Sequence, residues 1–222
     1  ANGKEFARYW MHNAFLNIDN RKMSKSLGNF RTVREISEQY DLQVLRFFML
    51  SAHYRSPLNF SADLMAAAKN GLDRILTAAE RLHDLADAAE GSMTDAEKEN
   101  FAASKEYVEK FETAMEDDAN TADAVSAVFE LVKFINVNSS EQNSKEYLQA
   151  LYQRLETLCD VLGIIIEKKE EILDSDIEAL IAERQAARKE KNFARADEIR
   201  DTLLEQGIIL EDTREGVKWK RA

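Results

Sequence analysis

Four runs of apolar residues, each repeating every three or four positions, constrain the fold of this chain more than any other feature. They occupy residues 64–86, 101–115, 125–135 and 148–162. This spacing places apolar side chains on one face of an α-helix, and such faces are buried against one another. The sequence therefore predicts an antiparallel bundle within residues 61–166, whose runs supply core side chains rather than ligands.

Residues that break helices are scarce in this chain. The 222 residues include one proline and seven glycines, while 45% are hydrophobic. Such a composition favours a mainly α protein. The proline, Pro57, lies in the stretch HYRSPLNFS, which we interpret as a break between helices. Upstream of it, Thr32 with Glu35, and then Asp41, have the pattern of helix N-caps, and residues 6–18 are interpreted as short strands.

Residues 177–222 follow a different pattern from the bundle. Two helices are predicted at roughly 177–191 and 194–206, with Gly207 as a C-terminal cap. The segments IILED and GVKWKR alternate as two strands around DTRE, which predicts a hairpin. We therefore divide the chain into an N-terminal segment (1–60), a helical bundle (61–166) and a small mixed α/β domain (177–222).

The net charge of −11 is unevenly distributed along the chain. Residues 1–60 carry nine Lys and Arg against five Asp and Glu, a net +4. Residues 61–176 carry eleven against twenty-six, a net −15, and residues 177–222 carry ten of each. Both ends can therefore approach a phosphate-bearing partner, although the whole chain is acidic.

Several classes of protein are disfavoured by what the sequence contains. Its apolar runs are too short to predict a membrane span, and its start has no signal-peptide pattern. The single cysteine, Cys159, excludes an internal disulfide and is typical of a reducing compartment. With three scattered histidines, no metal site is predicted in this chain. We expect a cytoplasmic protein that does not bind a membrane.

The stretch RKMSKSLGNF, residues 21–30, carries most of the chemistry. Lys22 and Lys25 supply two cations, Ser24 and Ser26 supply hydroxyl donors, and Gly28 permits backbone conformations that other residues resist. A loop of this composition suits a polyphosphate, although it is not a Walker A loop. From the residues alone, an ordinary solvated basic turn remains an alternative.

The pentapeptide from Lys22 to Ser26 is identical to the KMSKS signature of class I aminoacyl-tRNA synthetases. Its flanks, YWMHNAFLNID and LGNFRTVREI, resemble bacterial cysteinyl-tRNA synthetases, as do LRFFMLSAHYRSPLNFS and AARKEKNFARADEIRDTLLEQGIILED. The resemblance covers essentially the whole chain, but only about the C-terminal half of such an enzyme. It implies a stem-contact segment that carries the KMSKS loop, followed by a DALR-type anticodon-binding bundle.

The resemblance implies a reaction in which the carboxylate of cysteine attacks the α-phosphate of ATP, bound with Mg²⁺, and releases pyrophosphate. It assigns Lys25 to the ATP phosphates with Lys22 in support, and it makes Ser24 and Ser26 loop donors. The Rossmann half of the family carries a HIGH-type motif and zinc ligands, none of which is in this sequence. His12 and His53 are not expected to replace them. We therefore predict that the chain alone is inactive and that its missing partner is the N-terminal Rossmann half, in a monomeric enzyme.

The resemblance also implies that the C-terminal domain reads the GCA anticodon of tRNA-Cys. The positions that match readers in the family are Arg188, Phe193, Asp197, Arg200, Asp212 and Trp219. Two structural interpretations compete with this one. Asp197 and Arg200 are three residues apart and suit a helical ion pair, and Trp219 suits a small core.

Other hypotheses remain open at the level of sequence. One is another KMSKS enzyme, such as a methionyl or arginyl synthetase, or the ligase of mycothiol synthesis that is related to the cysteinyl enzyme. Another is a non-catalytic RNA-binding helical module that retains the loop. The stretch DDANT, residues 117–121, resembles a DDFNT motif of the family, and it also suits a helix end followed by a cap at Thr121.

Overall fold

The structure, a computed structural model, describes residues 3, 5–167, 174–189, 192–213 and 216–221, without the side chains of 174–176, 205, 211–213 and 216–221. The chain divides into two compact units, residues 1–167 and 168–222, and each is described by itself. The prediction of a mainly α protein is confirmed. None of the helices in the described part is long and apolar enough to cross a membrane.

The first unit begins with a small sheet and two short helices. The sheet comprises β1 (Leu16–Ile18), β2 (Arg21–Lys22) and β3 (Leu58–Phe60), in the order β2-β1-β3. β1 is antiparallel to β2 and parallel to β3. Within residues 6–18, where we predicted short strands, the structure has only β1.

The helices α1 (Val33–Ser37) and α2 (Leu42–Leu50) begin at the predicted caps. The Thr32 side chain accepts from the Glu35 amide, and the Glu35 carboxylate accepts from the Thr32 amide at 2.7 Å, which completes a capping box. The Asp41 carboxylate accepts from the Gln43 amide at 2.6 Å. Local sequence therefore sets both helix starts.

The bundle has five helices rather than four: α3 (Ala62–Ala88), α4 (Asp95–Ala103), α5 (Lys105–Glu116), α6 (Thr121–Asn138) and α7 (Lys145–Leu162). The predicted runs supply its core, in which Leu82, Leu131, Ile135, Leu148, Leu151 and Leu155 are fully buried. α2 adds Val44, Phe47 and Phe48 to the same core. The core therefore continues across residue 60, where we predicted a boundary between domains.

The extra helix results from a break at Ser104, between α4 and α5. Ser104 is fully buried, and its hydroxyl donates to the Phe101 carbonyl at 2.9 Å. Arg154 of α7 donates to the same carbonyl at 2.7 Å and also to the Ser104 hydroxyl. Because the guanidinium also lies 3.7 Å from the centre of the Phe101 ring, α7 holds the break in place.

The second unit consists of α8 (Asp174–Lys189), α9 (Phe193–Glu205) and the antiparallel pair β4 (Ile208–Thr213) and β5 (Gly216–Arg221). The predicted helices and hairpin are therefore present, although the hairpin turn at 214–215 lies outside the described residues. Gly207 has φ 74° and donates to the Leu204 carbonyl at 3.0 Å, as a helix-ending glycine does. A separate core is formed by Ile177, Ile181, Ile199, Leu203 and Ile208.

Candidate functional site

The loop of residues 21–30 extends from the hairpin of β1 and β2. The hairpin turns at Asp19 and Asn20, which have φ values of 47° and 61°. β3 fixes this turn, since Asn59 Oδ1 accepts from the Asn20 amide at 2.7 Å and the Phe60 carbonyl accepts from the Asp19 amide at 3.1 Å. The loop is thus attached to the sheet at its base.

Within the loop, Asn29 joins the two ends. Its Oδ1 accepts from the Ser24 amide at 2.9 Å, and its Nδ2 donates to the Lys22 carbonyl at 3.2 Å. The Ser24 and Ser26 hydroxyls are 2.7 Å apart, and the Ser26 amide donates to the Ser24 hydroxyl at 3.3 Å. Sequence reasoning did not single out Asn29, although it lies in the quoted loop.

One turn of 3₁₀-helix, Lys25–Leu27, forms the tip of the loop and ends at Gly28. Gly28 has φ 67° and donates to the Lys25 carbonyl at 3.2 Å, so its position requires the freedom of glycine. The two hydroxyls, the two lysines and the turn therefore lie within one short segment, in which Lys22, Lys25 and Ser26 are exposed.

The two lysines of the loop contact aromatic rings. Nζ of Lys22 lies 5.1 Å from the centre of the Phe15 ring, and Nζ of Lys25 lies 5.4 Å from that of Phe30. Both lysines are exposed, and neither forms an ion pair with a residue that the structure describes. A ring orients an ammonium group without neutralising it, so the charge remains able to bind an anion.

Large apolar side chains are exposed in the loop and in the sequence segments on either side of it. Those with more than half of their surface exposed are Phe6, Tyr9, Trp10, Met11, Phe15, Leu27 and Val33. The exposed fraction reaches 90% at Phe6 and 89% at Tyr9. Apolar surface concentrated in one segment in this way is typical of a contact with another protein surface.

The described residues do not fit a zinc ion, because no group of three or more His, Cys, Asp or Glu among them is placed to hold a metal. Cys159 is fully buried, and burial, reinforced by the carboxylates of Asp160 and Glu156, raises the pKa of its thiol to about 12. His12 stacks on Trp10 with ring centres 6.4 Å apart. Neither side chain belongs to a cluster of possible ligands among the described residues.

Three of the predicted RNA-reading residues lie on one helix of the second unit. Phe193, Asp197 and Arg200 are spaced by four and three residues along α9, so they share a face, and all three are exposed. Asp197 and Arg200 form the ion pair that we weighed as an alternative, with a separation of 3.6 Å. Half-exposed pairs of this kind contribute little stability and open readily to another partner.

The other three predicted readers are placed less completely. Arg188 is exposed in the last turn of α8. Asp212 lies in β4 opposite Val217, and Trp219 lies in β5 opposite Leu210. The side chains of Asp212 and Trp219 lie outside the described residues, so the proposed roles of both, like those of the other readers, stay predictions.

Three family models match successive parts of the chain. They are described as a class I (C) tRNA synthetase catalytic domain (residues 1–70), a DALR domain (110–167) and a cysteinyl-tRNA ligase anticodon-binding domain (171–219). The cysteine–tRNA ligase of Lachnospira eligens is 66% identical over 223 residues, which cover 100% of this chain and 47% of that protein. The chain belongs to the cysteine–tRNA ligase family.

Two further cysteine–tRNA ligases agree with this membership. Those of Lachnoclostridium phytofermentans and Clostridioides difficile are 58% and 51% identical, each over 99% of this chain and 48% and 47% of the relative. The chain thus spans about half the length of the curated relatives it matches. Membership of this family favours the cysteinyl interpretation over the methionyl, arginyl and mycothiol-type alternatives.

Proposed function

We propose that this chain supplies the mobile ATP-phosphate loop and the tRNA-binding half of a cysteine–tRNA ligase. The observation that carries the proposal is the pair of exposed lysines, Lys22 and Lys25, each next to an aromatic ring and without an ion pair among the described residues. Class I synthetases use ATP, whose triphosphate is the polyanion that such a loop suits. Two ammonium groups that are not already paired can bind it without first breaking an ion pair.

In this proposal Lys25 acts on the leaving group. As the cysteine carboxylate attacks the α-phosphate, negative charge builds on the departing pyrophosphate. A lysine that contacts this charge stabilises the transition state more than bound ATP. Lys22 supports it from the base of the loop, and the Ser24 and Ser26 hydroxyls donate to phosphate oxygens once their mutual hydrogen bond opens.

We further propose that activity requires the region of the relatives that this chain does not match, so that the chain alone is inactive. The sequence has no HIGH-type motif, and its described residues do not fit the zinc ion that selects cysteine in the family. The exposed apolar side chains between residues 6 and 33 are the surface proposed to contact the Rossmann half of the family. The complete enzyme is proposed to act as a monomer in the cytoplasm, where translation consumes its product.

For the second unit we propose recognition of the anticodon of tRNA-Cys. Phe193 offers a ring that is 61% exposed, on the same face of α9 as Asp197 and Arg200. A ring stacks on an unpaired base, while a carboxylate and a guanidinium bind its exposed edges. Arg188, Asp212 and Trp219 complete the proposed set.

Replacement of Lys25 tests the proposed role of the loop. In the full-length protein that carries this chain, Lys25→Ala should lower the rate of cysteine-dependent ATP–pyrophosphate exchange about 100- to 1,000-fold, while ATP binding weakens by less than about threefold. Lys69→Ala is the control, because Lys69 is an exposed lysine of α3 that pairs with Asp73. Equal effects on rate and on ATP binding would contradict the proposed transition-state role.

Binding of the chain to a tRNA-Cys transcript over a salt series tests the second proposal. Substitution of any anticodon base should weaken binding, and Arg188→Ala should reduce this discrimination. Lys189→Ala, which removes a charge from the adjacent exposed position, should weaken binding to all transcripts about equally. Binding that depends on salt but not on the anticodon would contradict the proposal and show that the unit contacts only tRNA phosphates. The alternative of a non-catalytic RNA-binding module predicts the same result.

A further inference from the structure

The turn between α5 and α6 makes contacts that the proposed function does not use. The carboxylate of Asp118 in this turn accepts from the Tyr54 hydroxyl at 2.8 Å and from Nη2 of Arg55 at 2.8 Å. Nε2 of His53 lies 3.7 Å from the same carboxylate. One side chain of the bundle thus contacts three consecutive residues that lie more than sixty positions earlier in the chain.

The backbone of the turn holds Asp118 in a restricted conformation. Asp118 and Ala119 have φ values of 57° and 54°, in the left-handed region. Aspartate adopts this region more readily than most residues. The next residue, Asn120, caps α6 by accepting from the Asp123 amide at 3.2 Å, so the turn is fixed on both sides. The carboxylate therefore extends from a defined position.

The three residues that Asp118 contacts also bind one another. The His53 and Tyr54 rings stack with centres 4.8 Å apart, and Nε of Arg55 donates to the Tyr54 hydroxyl at 3.0 Å. Tyr54 is joined by its backbone to the segment that precedes β1, because its carbonyl accepts from the Ala14 amide at 2.8 Å. Asp118 therefore contacts a small, internally bonded unit rather than a single side chain.

The segment that Tyr54 binds leads directly to the catalytic loop. The Phe15 carbonyl accepts from the Leu58 amide at 3.2 Å, so residues 14 and 15 are held by the segment on both sides of Pro57. The Phe15 ring lies under the Lys22 ammonium at 5.1 Å, and the following carbonyl, of Leu16, accepts from the Met23 amide at 3.4 Å. Every contact from Asp118 to the loop lies within the first unit.

We propose that Asp118 is a positioning residue of the KMSKS loop. Through Tyr54, to which Arg55 also donates, it fixes residues 14–15 just before β1, and this segment sets the position of the Phe15 ring beneath Lys22. The inference rests on the proposed function, since it requires that Lys22 and Lys25 act on the phosphates of ATP. It adds a residue of the bundle that contacts no substrate and yet determines where the Lys22 ammonium lies.

Three variants distinguish the effect of the Asp118 carboxylate from that of the backbone conformation of the turn. Asp118→Gly removes the carboxylate while permitting the positive φ, and Asp118→Asn retains an acceptor for Tyr54 but loses the charge that binds Arg55. Asp117→Asn is the matched control. Asp117 is the residue before Asp118, and its carboxylate is exposed and forms no ion pair with a described residue. A thermal melt of each variant reports whether the bundle itself is altered.

Hydrogen exchange in the chain tests the route of contacts without any activity. In Asp118→Gly the amides of Ala14, Met23 and Leu58 should exchange about tenfold faster, with a smaller effect in Asp118→Asn and none in Asp117→Asn. The amides of α7 should be unaffected. Exchange that is unchanged at these three amides, or that is raised equally throughout the bundle, would overturn the inference.

The kinetic part uses a double-mutant cycle in the full-length protein. Asp118→Gly should lower the kcat of ATP–pyrophosphate exchange about tenfold, with the KM for cysteine within twofold, and should cost less than twofold when Lys22 is already alanine. This inference alone fails if the lysine variants lower kcat but Asp118→Gly does not. It also fails if Asp118→Gly still lowers kcat about tenfold when Lys22 is alanine. If both lysine variants leave exchange unchanged, the proposed function fails and the positioning role fails with it.

Discussion

The bundle and the KMSKS loop use charged side chains in opposite ways. In the bundle and α2, three arginines donate to carbonyls at helix ends: Arg46 to Leu162 at 2.6 Å, Arg81 to Ser139 at 2.7 Å and Arg154 to Phe101 at 2.7 Å. In the loop, the ammonium groups of Lys22 and Lys25 lie next to aromatic rings and form no ion pair with a described residue. Charges thus stabilise the bundle, whereas in the loop they remain available to a ligand.

Glu97 is the acidic counterpart of these arginines. Its carboxylate accepts from the amide and hydroxyl of Thr94, at 2.8 and 3.0 Å, at the start of α4. It also accepts from the amide and hydroxyl of Ser144 and from Asn143, at the start of α7. Burial raises the pKa of this carboxyl, but hydrogen bonds from Thr94, Ser144 and Asn143 outweigh burial and lower it to about 2.

The largest expected loss of stability follows from Glu97→Gln, which leaves several of these donors unsatisfied. We expect a loss of about 3 kcal/mol at pH 7, because lowering the pKa from 4.5 to about 2 stabilises the folded state by roughly that amount. Since the folded-state pKa is lowered, this contribution is complete above pH 4.5 and is lost as the pH falls through 2. Urea unfolding at pH 7 and pH 3 should therefore give a smaller difference from wild type at pH 3.

Glu99→Gln is the control for that experiment, since Glu99 is exposed on the same helix. A loss as large in Glu99→Gln as in Glu97→Gln would show that general charge, rather than the joined helix starts, accounts for the effect.

Gly163→Ala should destabilise the bundle by about 2 kcal/mol, the second largest effect. Gly163 ends α7 with φ 64°, and a Cβ there would lie 2.6 Å from Cζ of Arg46, which would displace the guanidinium from the end of the helix. Gly91→Ala provides the comparison, because Gly91 has φ 90° but open space around it. Chemical denaturation of both variants isolates the contribution of Arg46 to the free energy of unfolding. Equal losses of stability in the two variants would show that Arg46 makes no such contribution.

The smallest effect is expected in the loop. Lys22→Ala and Lys25→Ala should each change the free energy of unfolding by less than about 0.5 kcal/mol, because exposed contacts between a cation and a ring contribute little. The same denaturation measurement tests this. A loss comparable to that of Glu97→Gln would show that the lysines are structural and would remove the contrast between the two regions.

Much of the secondary structure could be predicted from the sequence, because the patterns that determine it involve residues close together in the chain. The caps at Thr32 and Asp41 depend on residues two or three positions away, and the apolar runs of the bundle depend on helical spacing alone. The loop was accessible because the KMSKS pentapeptide is specific. The conformation at Gly28 followed from the residue type itself.

The remaining features depend on residues distant in sequence. The break at Ser104 is stabilised by Arg154, fifty residues later, and the sequence around Ser104 continues a helical pattern. The contact between Asp118 and Tyr54 joins residues 64 positions apart. Apolar periodicity predicts which face of a helix is buried, but it does not predict which distant residue a surface aspartate contacts.

The burial of Cys159 has a practical consequence for chemistry on this chain. Its thiol has no exposed surface, and burial raises its pKa to about 12, so alkylation and exchange with a disulfide such as cystine are excluded while the bundle is folded. It is also the only cysteine in the sequence. A cysteine introduced at the tip of the KMSKS loop would therefore be the single reactive thiol, and a fluorophore attached there would report loop motion on the otherwise native chain.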